Sequence, residues 1–63
     1  MTPKYDVGDI IYIGFQKQNF MIVERFAPPN SALLPKYNLL SLDTGKYMLY
    51  FARDIDCNSC LVA

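Results

Sequence analysis

A chain of 63 residues has room for one domain, spanning 1–63, and one this short buries only roughly 60% of its unfolded surface, near the lower limit for folding alone. Six Lys and Arg balance six Asp and Glu, which removes the long-range field that nonspecific nucleic-acid binding uses, and with no His the usual general base and the commonest transition-metal ligand are both missing. The expectation is therefore no enzyme and no cofactor or metal, while an apolar fraction of 52% that includes five Tyr and four Phe exceeds what so small a core can hide.

The N-terminal residues 1–9 lack the apolar segment of a signal peptide, and no run of about 18 apolar residues follows that would span a bilayer. A cytoplasmic location with reduced thiols is the expectation. Residues 6-DVG-8 read as a turn feeding a first strand, 9-DIIYI-13, rich in β-branched side chains. The short link after it, 15-FQKQNF-20, reads as a hairpin loop; its one cation between two rings also fits a stacking site for a single-stranded nucleic acid. A second strand, 19-NFMIVERF-26, ends at Ala27 because Pro28 and Pro29 remove two ladder donors.

The loop 27-APPNSALLP-35 is stiffened by its prolines, so it loses little entropy on docking. Its adjacent leucines, Leu33 and Leu34, have two physical uses: a lid over an undersized core, or anchors of a binding surface. Third and fourth strands, 36-KYNLLSL-42 and 46-KYMLYFA-52, flank Asp43-Thr44-Gly45. That triplet predicts a type I turn with Gly in the left-handed position, closing a hairpin with a bulge. It is also the active-site triplet of aspartic proteases, but that chemistry needs two such carboxylates sharing a proton, and here it sits where a turn is wanted.

Alternation places Tyr47, Leu49 and Phe51 on one face of the fourth strand and Met48, Tyr50 and Ala52 on the other, both apolar. In the third strand, Tyr37 and Leu39 oppose Leu40 and Leu42 in the same way. A half-buried antiparallel strand alternates polar with apolar. These strands are thus either covered on both sides, or their outer face is an interface. Residues 53-RDIDCNS-59 fit a turn of 3₁₀ helix and 60-CLVA-63 a brief last strand.

Cys57-Asn58-Ser59-Cys60 has C-x-x-C spacing, but two thiolates supply half a zinc shell. Asp54 and Asp56, or a second chain, would have to complete it, and a redox pair wants its first Cys at a helix N-terminus, so structural thiols are the expectation. The scattered Asp9, Asp43, Asp54 and Asp56 lack the spacing of a calcium loop.

Asp6-Val7-Gly8-Asp9 before the first strand, Tyr37 through Gly45 in the third strand and turn, and Arg53-Asp54-Ile55-Asp56 before the last strand carry a resemblance. The chain resembles an SH3-like barrel of the KOW or Tudor type, at pattern level over most of its length, in the style of small proteins encoded by bacteriophages. An OB-like or otherwise open five-stranded barrel is the nearest rival. The resemblance implies an all-β fold, a single five-stranded SH3-like barrel with a long proline-containing loop between its second and third strands. It also implies contacts with peptides, host proteins or nucleic acid rather than catalysis, and in Tudor-type barrels an aromatic cage for methylated cations. The expected function is a non-enzymatic protein-interaction module that binds and occludes or modulates a host protein. Its expected contacts are Phe26, Pro28, Pro29, Leu33, Leu34 and Tyr37, with Tyr47 and Tyr50 contributing. A KOW- or Tudor-like nucleic-acid binder and a homo-oligomeric structural subunit are the alternatives.

Overall fold

The computed structural model describes residues 4–26 and 34–63. Five strands and one helix follow in chain order: β1 (Ile10–Ile13), β2 (Gln18–Phe26), β3 (Lys36–Ser41), β4 (Tyr47–Phe51), α1 (Ala52–Asn58) and β5 (Ser59–Leu61). All strands pair antiparallel in one sheet ordered β4-β3-β2-β1-β5. The all-β expectation is borne out. The closed barrel is not: β4 and β5 are the two edges, and no ladder joins them among the described residues.

The connection between those edges is α1, which packs against β3, β4 and β5. It replaces the 3₁₀ turn expected over 53–59. Ala52 and Ile55, three residues apart, share the inward face and are both buried, while the Asn58 side chain donates to the Asp54 carbonyl at 2.8 Å. Seven residues offer only that one apolar pair, too few for helical periodicity to stand out in the sequence.

The two tight hairpins share one geometry. In each, a four-residue loop ends in a left-handed residue, Lys17 (φ 55°) after β1 and Gly45 (φ 76°) after β3. The amide of that residue donates back across the loop, Lys17 to the Ile13 carbonyl at 2.8 Å and Gly45 to the Ser41 carbonyl at 2.9 Å. Buried Ser41 organises the second loop further, since its Oγ accepts the Thr44 amide at 3.2 Å and donates to Gln18 Oε1 at 2.9 Å. Glycine adopts positive φ freely and lysine does not. Gly45→Ala is therefore expected to cost about 1 kcal/mol in urea denaturation, whereas Lys17→Gly is expected to be neutral or stabilising by a few tenths.

At the Asp43-Thr44-Gly45 turn, Ser41 faces both left-handed Gly45 and Lys46, the pattern of the expected bulge, and a further irregularity lies within the strands. Register then runs unbroken from Leu40↔Tyr47 to Lys36↔Phe51, and the extra residue within the strands is Val23 in β2, between Ile22 and Glu24. The bulge keeps Ile22 in the core opposite Leu39 yet brings Arg25 opposite Tyr37. From there Arg25 pairs with Asp6. Asp6 also opens the turn before β1, where Asp9 N–H donates to the Asp6 carbonyl at 3.1 Å and Gly8 takes the positive φ of 95° that a type II turn requires.

The core lies on one side of the sheet. Ile11 and Ile13 come from β1, Phe20 and Ile22 from β2, Tyr37 and Leu39 from β3, Ala52 and Ile55 from α1, and Tyr5 from the segment before the first turn. Met48 and Tyr50 pack against its margin from β4.

Candidate functional site

The other side of the sheet carries the surplus apolar surface. Residues directly opposite each other in an antiparallel pair share a face, so the registers trace rows across the sheet. One row runs Tyr47–Leu40–Met21–Ile10 through four strands, entirely apolar. A second runs Phe51–Lys36–Phe26, with the Lys36 Nζ 5.3 Å from the centroid of the Phe51 ring. Between them lies Leu49–Asn38–Glu24, in which Asn38 Nδ2 donates to Glu24 Oε1 at 3.1 Å.

The face is least covered at β4. Tyr47 is 66% exposed, Leu49 57% and Phe51 40%. The backbone of the same three residues is also open. Ser41 N–H donates to the Lys46 carbonyl and Ala52 N–H to the Pro35 carbonyl, each at 2.9 Å, which sets the phase of the β3–β4 ladder. Hydrogen-bonded pairs recur every second residue, so Met48 and Tyr50 bond to β3 while the N–H and C=O groups of Tyr47, Leu49 and Phe51 point outward. Native edge strands are usually blunted by a lysine, a proline or a bulge; Tyr47–Phe51 contains none of these. At its C-terminal end, Lys36, Leu49, Tyr50, Phe51 and Asp54 line a hollow of about 170 Å³.

The residues expected to carry a contact separate into groups. Phe26, Leu34 and Tyr47 are exposed. Tyr50 is half-buried, accepts a hydrogen bond from Gln16 Nε2 at 2.6 Å and packs edge-on against Phe15, with ring centroids 5.9 Å apart. Pro28, Pro29 and Leu33 lie outside the described residues, as does most of the loop to which a lid or docking role was assigned. Tyr37 is corrected: it is fully buried and belongs to the core. The cause is register, because Tyr37 shares the inward face with Leu39 and Ser41. Phe20 is likewise buried, which removes one of the two rings proposed for base stacking around Lys17. Leu49 and Phe51 were not among the expected contacts, although the alternation within 46-KYMLYFA-52 already placed them beside Tyr47.

Burial makes Tyr37 a polar tie. Its hydroxyl accepts from the Tyr5 amide at 3.0 Å and donates to Asp56 Oδ1 at 2.7 Å. Burial first, and then the hydrogen bond and negative charge of Asp56, push its pKa up from 10.0 to about 12. Tyr5 extends the tie, since its hydroxyl lies 2.9 Å from Ser59 Oγ. Together these bonds pin the N-terminal segment to β3, α1 and β5.

Other sequence candidates remain apart. Cys57 and Cys60 are both free and exposed, Cys57 in the last turn of α1 rather than at its start. Among the described residues no three His, Cys, Asp or Glu converge as metal ligands would, and no helix is long and apolar enough to cross a membrane. Asp43 is exposed and accepts the Asn19 amide at 3.4 Å, a turn contact. Comparison with known proteins returns no matching family model, no similar curated protein and no similar solved structure.

Proposed function

We propose that this chain is a non-enzymatic protein-interaction module whose contact surface is the outward face of the sheet, centred on β4. One observation carries the reading: Tyr47, Leu49 and Phe51 combine exposed apolar side chains with an open strand edge. Aromatic and aliphatic anchors on a rigid strand lose little entropy on binding, and the open edge offers main-chain hydrogen bonds to an added strand. The strand order β4-β3-β2-β1-β5 with a short helix before the last strand supports an SH3-like reading of the fold. On that reading the module acts as small bacteriophage-type barrels do, by covering a surface of a host protein. Phe26 and Leu34, both exposed, extend the face toward the loop that carries Pro28, Pro29 and Leu33.

Leu49→Lys tests this, because it places a charge at the centre of the face without touching the core. Immobilised wild-type chain is expected to retain a protein from a lysate of its natural host. Leu49→Lys is expected to weaken that retention tenfold or more, as the loss of a central anchor does, with an unchanged far-UV circular dichroism spectrum. Equal retention by the two chains removes the proposal.

A further inference from the structure

We infer that the β4 face binds a second copy of this chain, through antiparallel β4–β4 pairing about a two-fold axis at Leu49. The inference rests on the proposed interaction surface and adds to it a second occupant, another copy of this chain.

The strand is self-complementary. Tyr47, Leu49 and Phe51 are evenly spaced, with the leucine at the centre and an aromatic ring on either side. An antiparallel two-fold sets Leu49 against its own copy and Tyr47 against Phe51 of the other chain, twice. All three residues present N–H and C=O outward, so this register satisfies every open edge group of the strand at once. A register slipped by one residue would turn the apolar faces to opposite sides. No charged side chain lies within Tyr47–Phe51, and the net charge is zero, so neither contact nor long-range repulsion opposes pairing of like chains.

The hollow fixes where the second tyrosine goes. It lies beside Phe51 and is lined by Lys36, Leu49, Tyr50, Phe51 and Asp54. The two-fold brings Tyr47 of the other copy next to Phe51, against this hollow. Its volume of about 170 Å³ suits one aromatic side chain. Asp54 supplies an acceptor for the tyrosine hydroxyl, and the Lys36 ammonium already stands over the neighbouring Phe51 ring. Tyr47 is also the most exposed large apolar side chain of the described residues.

By contrast, β5 is a poor edge for pairing. It has three residues, is shorter than β4, and follows directly from α1. Covering β4 and its hollow removes on the order of 400 Å² per copy, about half of what a standard stable interface buries. The dimer is accordingly weak, with a dissociation constant on the order of 10–100 μM.

Two experiments on the full chain test this together. Sedimentation equilibrium from about 10 μM to about 1 mM is expected to show a mass rising from 7.2 kDa toward twice that value. Leu49→Lys and Tyr47→Ala are each expected to weaken association tenfold or more, while Leu61→Lys on the β5 edge leaves it unchanged. In a Cys57→Ser, Cys60→Ser background, Leu49→Cys is expected to form an intermolecular disulfide on mild oxidation, because paired Cα atoms about 5.5 Å apart fall within disulfide range. Thr44→Cys, displaced along the two-fold pairing, is not. A wild-type mass fixed at 7.2 kDa to the highest concentration overturns the inference, as does association that survives Leu49→Lys or is lost in Leu61→Lys. If the chain is monomeric yet loses a foreign partner in Leu49→Lys, self-pairing fails while the interaction surface stands.

Discussion

Phe20→Ala is expected to leave the chain largely unfolded at 25 °C. Phe20 is fully buried near the start of β2, paired with Ile11 on one side and Ser41 on the other. Truncating such a ring removes its transfer free energy and leaves a cavity, together about 3–5 kcal/mol. A domain of 63 residues has on the order of 3–9 kcal/mol in total. Loss of the cooperative thermal transition and of strand signal in far-UV circular dichroism is the expected observation. Phe26→Ala is the contrast: that ring is exposed at the end of the same strand, and its loss is expected to cost less than about 1 kcal/mol. A folded Phe20→Ala with wild-type stability contradicts the assignment of this face to the core.

The second large effect is expected at Tyr37. Tyr37→Phe keeps the ring but strips the Tyr5 amide of its acceptor and the Asp56 carboxylate of a donor. Leaving buried polar groups unpaired costs about 1–3 kcal/mol, measurable as a lower urea midpoint at neutral pH. Tyr47→Phe, on the exposed face, is expected to change stability by no more than about 0.5 kcal/mol. Alkaline pH gives an independent signature. The unfolded chain releases the Tyr37 proton near pH 10, whereas the folded chain holds it to about 12. Above pH 10 the unfolded state therefore binds fewer protons, and stability falls as pH climbs through that window. Tyr37→Phe is expected to flatten this part of the decline; an unchanged alkaline limb contradicts the buried tie.

How much of this was legible follows from the range of each signal. Strand positions and turn residues are local: β-branched runs, the double proline after Ala27, and glycines at two of the three positions with positive φ all act within a few residues. They locate the strands to within about a residue or two at each end. Which aromatic residue faces the core is not local. Tyr37 and Tyr47 each sit among leucines in neighbouring strands, yet one is buried and the other open. That choice depends on cross-strand register and on the Val23 bulge, which no turn residue announces. The exposed apolar face of β4 was half visible, since the alternation of Tyr47, Leu49 and Phe51 grouped them without saying which side met solvent. Once Met48 and Tyr50 are committed to the core margin, period-2 geometry sends the other three outward.

Amide hydrogen exchange by NMR, followed as a function of protein concentration, tests most directly whether the open edge of β4 is a contact surface between copies. At low concentration the amides of Met48 and Tyr50, bonded to β3, are expected to be protected, and those of Tyr47, Leu49 and Phe51 to exchange fast. As concentration rises toward about 1 mM, the latter three are expected to gain protection together, with Leu49 central. Fast exchange of all three at every concentration, with Met48 and Tyr50 still protected, would contradict the account.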